Sequence, residues 1–282
     1  MSVRIIVDSA SDITLDRAAE LEVDVLPLKT IFGEEEFLDG VTLSHREFYE
    51  KLIESDEHPT TSQIPPYEFE EIFKQVKEAG DTALCITISG KLSGTYQSAN
   101  IAAEDYEDIV TIVDSENVAV GEQILVELAV KLRGEGKTAE EIAEVLEEEK
   151  KKVRVIALLD TLEYLKKGGR ISGTAAAVGG LLSIKPVIAI EDGEIAVLGK
   201  ARGSKNGQNL LREYTKKRGA IDYSKPCILA YTGLSDELLK KYIADSQEIY
   251  EGFRRELPIS TIGSTIGTHA GPGAIAVAFF VK

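Results

Sequence analysis

With 282 residues, 43% of them hydrophobic and 28% charged, the chain has a globular composition and is long enough for two packed units. A formal net charge of −16 excludes general nucleic-acid binding, which needs a basic footprint. No apolar run approaches the roughly 20 residues of a helical membrane span, and Val3–Val7 ends at Asp8, too early for a signal-peptide core, so a cytoplasmic protein is expected.

Taken in chain order, the first half alternates strands and helices. Val3–Val7 is a short apolar strand ending in Asp8-Ser9. Asp24–Phe32 reads as one extended segment, with Pro27 suited to a sheet edge. Ser44 and Glu47 form a capping box that opens an amphipathic helix from Phe48. Phe69–Lys77 is a second helix, and Ala83–Ile88 is a continuous apolar strand of the kind buried on both faces. A helix follows from Ser93 through Ala103, then a strand at Ile109–Val113 ending in Asp114-Ser115. Gly121–Leu132 is helical, and Thr138 with Glu141 opens a further helix to about Lys151. This alternation predicts a parallel sheet flanked by helices, with ligands beyond the carboxyl ends of its strands.

The second half changes character. Val153–Leu159 is a strand, and Leu162–Lys167 is a short helix stopped at Gly168-Gly169, with Gly168 as the expected left-handed cap. Val187–Ile190 and Ile195–Leu198 flank Glu191–Glu194, whose Asp192-Gly193 step signals a hairpin. Asn209–Lys217 and Asp236–Phe253 are helical; Cys227–Tyr231, Ile259–Ile262 and Ala274–Val281 are strands. The expected architecture is an α/β parallel-sheet domain over 1–155 and an α+β mixed-sheet domain over 156–282.

Charge is unevenly distributed. Residues 150–218 carry 15 Lys/Arg against 6 Asp/Glu, a local +9 that leaves −25 elsewhere. Such a segment suits an anionic membrane surface or an acidic partner. Equally, Lys150–Lys152 and Lys216–Arg218 sit where cations end helices. Cys85 and Cys227 lie in separate apolar runs, form no CxxC and are expected as buried thiols. With three histidines and these cysteines apart, no zinc set is expected.

Four loops are candidates for chemistry. Thr60, Thr61 and Ser62 place three hydroxyls before Pro65-Pro66, where an extended loop can donate to an anion or simply cap the next helix. Ser89–Ser98 joins a strand to a helix; Gly90 and Gly94 allow close backbone approach, and Ser93 at the helix start suits an anion or a plain N-cap. It lacks the spacing of a phosphate-binding P-loop. Arg170, just past the glycine stop, suits a carboxylate or a structural ion pair. His269 lies within Thr268–Ala274, read as a tight turn that aims its ring.

Together these segments resemble the DegV family of bacterial fatty-acid-binding proteins. The matching pieces are Asp8-Ser9 with Asp12, Thr61-Ser62-Gln63, Leu92–Ala99, Asp114-Ser115, Leu162–Arg170, Ile184-Lys185-Pro186, Arg202-Gly203 and Thr268–Ala274, in order along the chain. One departure is Ile64, which stands between Gln63 and the prolines where proline commonly follows directly. The resemblance implies a long-chain fatty acid, such as palmitate or oleate, bound between two domains. It implies that Thr61 and Ser93 hold the carboxylate with Ser62 and Gly94 in support, that His269 and Arg170 lie nearby, and that Arg202 sits at the mouth. The tail is expected against core residues such as Ile88, Leu92, Leu158, Leu181, Leu182 and Phe279. It further implies a carrier that presents the acid to a separate fatty acid kinase subunit, with no ATP site, cofactor or metal of its own. The alternative is a stand-alone enzyme, either related to dihydroxyacetone kinase or a hydrolase using Ser93 with His269.

Overall fold

The computed structural model describes residues 2–171, 183–254 and 256–282. β1 (Val3–Asp8), β2 (Val23–Leu26), β6 (Thr82–Thr87) and β7 (Val110–Asp114) form a parallel sheet in the order β2-β1-β6-β7. Residues of alternate parity on these strands enter two different cores. α1 (Leu15–Leu21) and α2 (His45–Glu54) come first in the chain; Ile6 and Cys85 meet α3 (Pro66–Ala79) and α4 (Thr95–Ala103), whereas Ile5, Val7 and Leu84 meet α5 (Val120–Gly134) and α6 (Ala139–Glu149). Both faces are covered, so these strands carry apolar residues without interruption.

The segment Asp24–Phe32 is not one strand. Pro27 separates β2 from β3 (Lys29–Phe32), which belongs to a second sheet with β4 (Glu35–Leu38) and β5 (Thr60–Ser62) in the order β4-β3-β5. Proline has no N–H for the ladder, and the chain changes sheets there. The hydroxyl run expected as a loop is β5 itself, with Thr61 registered against Thr30. Ile64 is buried in the core with Phe69, and Pro65-Pro66 opens α3.

A third, mixed sheet has the order β10-β9-β8-β13-β11-β12. Its strands are β8 (Val153–Leu158), β9 (Ile184–Glu191), β10 (Glu194–Arg202), β11 (Cys227–Tyr231), β12 (Ile259–Thr261) and β13 (Ile275–Phe280). α8 (Ser204–Lys217) and α9 (Glu237–Asp245) cover its outer face, which includes Leu158, Leu229 and Phe279. The helix expected over Asp236–Phe253 breaks at Ser246 into α9 and α10 (Gln247–Tyr250).

α5 lies between the parallel and mixed sheets and is buried on almost every side, touching β1 and β6 as well as β8, β11 and β13. One apolar core therefore joins Ile5 and Leu84 to Ile228 and Phe280. The chain enters the mixed sheet at Val153, so a boundary drawn between residues 155 and 156 falls inside β8.

Candidate functional site

Two short helices complete the site. α7 (Glu163–Lys167) ends against Gly168, whose φ is −75°; the left-handed residue is Gly169, with φ +70°. The Thr268–Ala274 segment is not a simple turn. Its first half ends a helix, α11 (Ser264–Ala270), and the turn proper is Gly271-Pro272-Gly273. Sequence reasoning missed α11 because its glycines and hydroxyls give weak helical propensity. Tertiary contacts hold it instead. The N–H groups of Gly263 and Ser264 donate to Asp12 Oδ1 (2.6 Å) and Asp39 Oδ1 (2.8 Å), and the Ser264 and Thr30 hydroxyls meet at 2.8 Å. α11 thus crosses β3 and β5 and carries His269 in its last turn.

A cavity of about 380 Å³ lies between the sheets. That falls within the usual range of roughly 300–1,000 Å³ for small-molecule sites. Thr61, Ser62, Ser93, Gly94, Arg170 and His269 line it, so six of the seven residues singled out from sequence come together. Arg202 does not. It is exposed at the end of β10, paired in register with Ile184, outside the cavity lining.

The apolar wall rests mainly on the inner face of the mixed sheet. Ala157, Ile188, Ala230 and Ala276 line it, in one cross-strand row: Ala230 opposes Ala276, Ala276 opposes Ala157, and Ala157 opposes Ile188. Ala276 retains accessible surface on an interior strand because the slot lies over it. Ile88 and Leu92 line the cavity as expected. Leu158 and Phe279 do not, because strand alternation turns them to the outer face under α8 and α9. Leu181 and Leu182 lie outside the described residues. The β9–β10 hairpin closes one flank through Ile190 and Ile195, and Ser89 Oγ at its tip donates to the Gly193 carbonyl at 2.7 Å.

The polar end is stitched from several elements. Thr61 Oγ1 lies 2.9 Å from His269 Nε2. Nδ1 of the same ring is buried with no partner among the described residues and faces Gly168, where a Cβ atom would sit 2.0 Å away. A hydrogen on Nδ1 would have no acceptor, so the ring carries it on Nε2 and donates to Thr61. Burial, with Arg170 and His58 adding to it, lowers the His269 pKa from 6.5 to about 4 and keeps the ring neutral. The Thr61 hydroxyl hydrogen is then free to point into the slot.

Ser93 is not the helix cap; Gly94 holds that position and α4 begins at Thr95. Ser93 Oγ instead accepts from the Thr95 N–H (3.3 Å) and lies 2.9 Å from Thr95 Oγ1. Gln63 ties this loop to β5: its Nε2 donates to Ser98 Oγ at 2.9 Å while its Oε1 packs against Gly94. Arg170 forms no ion pair among the described residues. It braces the junction by donating to the Leu92 carbonyl (3.2 Å) and the Gly168 carbonyl (2.7 Å). Gln63, Thr95 and Gly168 were absent from the sequence-derived set. Thr95 had a local signal in its two-residue spacing from Ser93; the roles of Gln63 and Gly168 exist only in three dimensions.

The strand-end carboxylates have other work. Asp8 accepts from the Ile88 and Ala10 N–H groups (2.8 and 3.0 Å), and Asp114 accepts from Gly90 and Glu116; neither lines the slot. Much of the basic segment is also internally neutralised. Lys150, Lys151, Lys152, Lys185, Lys216, Lys217 and Arg218 each pair with an acid. Among the described residues no helix is long and apolar enough to cross a membrane.

Solved structures share this fold across the whole chain. A DegV family protein from Thermus thermophilus, described for its fatty acid binding, aligns with a TM-score of 0.89 at 29% identity, covering 100% of both chains. A stearic-acid-binding protein from Eubacterium ventriosum gives 0.87 at 27% identity, covering 100% of this chain and 99% of that one. DegV of Bacillus subtilis, described as a fatty acid binding protein, gives 0.84 at 28% identity over 100% of both. A DegV domain-containing protein of Caldanaerobacter subterraneus subsp. tengcongensis is 36% identical over 286 residues, 99% of each chain. A family model described as "Uncharacterised protein, DegV family" matches residues 2–282. With the match running from the first strand through α11 to the last, the chain belongs to the DegV family.

Proposed function

We propose that this protein binds one long-chain fatty acid in the slot, with Thr61 and Ser93 holding the carboxylate and the tail buried over the mixed sheet. The observation that carries this reading is that the Thr61 hydroxyl on β5 and the Ser93 hydroxyl on the β6–α4 loop line one largely apolar cavity of about 380 Å³. Relatives of similar fold are described as binding fatty acids, among them stearic acid, which supports the ligand class.

The physics fits an amphiphile. A tail gains about 0.8 kcal/mol per buried methylene, roughly 12 kcal/mol for ~15 of them before the costs of association. Against a bilayer that gain nearly vanishes, so selection of the free acid falls to the polar end. Neutral hydroxyl donors hold a carboxylate without a full ion pair and leave one oxygen nucleophilic.

The acid is then presented to a separate kinase subunit in the cytoplasm, which supplies ATP and forms the acyl phosphate. The carrier needs no cofactor or metal and does not turn over alone. Lys166 and Lys167, exposed on α7 close to the polar end, with Arg202 serve as the docking cations for that acidic partner, with transient contact to anionic lipid.

Solvent extraction of the purified protein followed by mass spectrometry should yield a fatty acid, and added palmitate or oleate should bind. Thr61→Ala with Ser93→Ala should weaken that binding at least tenfold, from the loss of two hydrogen bonds to a charged group. A double variant with unaltered affinity refutes the anchor. Charge reversal at Lys166, Lys167 and Arg202 should slow acyl-phosphate formation by the cognate kinase while lipid affinity stays constant.

A further inference from the structure

Thr95 is fully buried at the first position of α4, and Ser93 is the hydrogen-bond partner the structure gives its hydroxyl. The direction of that bond is decided by what each alternative leaves behind. If Ser93 donated to Thr95, the Thr95 hydrogen would be buried without an acceptor. If Thr95 donates, every group is satisfied and the Ser93 hydrogen turns toward the slot that Ser93 lines. With the Thr95 N–H also directed at Ser93 Oγ, both lone pairs of that oxygen are occupied. Ser93 can then donate to a ligand but cannot accept from one. Thr61 Oγ1 accepts from His269 Nε2 alone and keeps one lone pair, so Ser93 is the anchor whose acceptor capacity is used up.

We propose that Thr95 is a positioning residue that converts Ser93 into an obligate donor, and that the Thr95–Ser93 contact thereby favours an acceptor-only headgroup, the ionised carboxylate, over a headgroup that must donate. This rests on the reading that Thr61 and Ser93 contact the headgroup. A fatty alcohol of equal chain length gains the same tail burial but brings a hydroxyl hydrogen that finds Ser93 closed to it. Discrimination between acid and alcohol is therefore written into the hydrogen-bond direction of the site, not into its shape.

The test measures competition by palmitate and by 1-hexadecanol against a fluorescent fatty acid, in the wild type and in two variants. The wild type should prefer palmitate by at least roughly tenfold, the size of one hydrogen bond to a charged group. Thr95→Val keeps the shape, removes the donor and should shrink that preference several-fold. Thr95→Ser restores the donor and should restore the preference, which a merely structural role would not require. Equal binding of acid and alcohol by the wild type overturns the proposal without any variant, as does a folded Thr95→Val protein with the wild-type ratio. Failure of the wild type to bind either the fluorescent acid or palmitate overturns the carrier reading itself, and is distinguishable from both.

Discussion

Thr61 on β5 and His269 on α11, 208 residues apart in the chain, meet at 2.9 Å in the lining of the slot. The contact ties the three-stranded sheet to the helix preceding the last strand, and it fixes the direction in which the Thr61 hydroxyl points. Because the ring nitrogen on the other side is sealed by Gly168, the pair behaves as one unit with a defined donor order.

His269 should remain neutral, with its hydrogen on Nε2, until the pH falls to about 4. Its folded pKa is below the ordinary 6.5, so its contribution to stability is full above about 6.5 and is lost as the pH falls through about 4. A side-chain NMR titration checks this directly; a ring that protonates near 6.5 contradicts it. His269→Ala should lower fatty-acid affinity by roughly tenfold, since Thr61 loses its fixed orientation.

Gly168→Ala should act on His269 without touching the ligand. The backbone there is ordinary right-handed helix, φ −75°, so alanine fits the main chain. The new methyl would stand 2.0 Å from His269 Nδ1, and the ring must move. Overpacking of this kind costs about 1–3 kcal/mol in stability. Affinity should fall together with the His269 NMR signature. An unchanged ring signal in the alanine variant would show that the seat is not as described.

The alanine row sets the depth of the slot. Ala276→Leu places a branched side chain between Ala157 and Ala230, on the surface left open to the cavity. Palmitate affinity should drop at least tenfold, several methylenes of burial being lost at about 0.8 kcal/mol each. Octanoate should suffer less, and thermal unfolding should confirm that the variant folds. Equal losses for both acids would mean that the tail does not cross Ala276.

Asp8 should make stability depend on pH near neutrality. Burial raises its pKa from 3.8 to about 7, against the opposing pull of the Ile88 and Ala10 N–H groups. The folded state holds this proton more tightly than the unfolded chain, so the contribution is full below about 3.8 and is lost as the pH rises through about 7. Urea unfolding at pH 5.5 and 8 should give a downward slope that Asp8→Asn reduces, the remainder belonging to the buried Asp12 and Glu122 carboxyls, which desolvation also pushes up. The same slope in the variant would assign it to other carboxyls.

Local signals were legible in the residues themselves. The capping boxes at Ser44 and Thr138 form as the spacing requires, and Asp192-Gly193 turns the β9–β10 hairpin. The continuous apolar run at Ala83–Ile88 announces a strand covered on both faces, and the run of motifs from Asp8 to Ala274 marks the family. Such features depend on backbone preference and on neighbours a few residues away, so they survive in a one-dimensional reading.

What only the tertiary structure decided is which atoms meet. A strand's period of two does not say which parity faces the slot, and so Ala157 lines it while Leu158 turns outward. α11 has little helical propensity of its own; Asp12 and Asp39 supply its N-terminal partners from distant loops. The seating of His269 against Gly168 and Thr61 depends on packing among residues far apart in the chain. The amino-acid sequence by itself determined the donor groups and those elements with strong local signals; their convergence on one end of an apolar slot is set by close packing, which no local preference encodes.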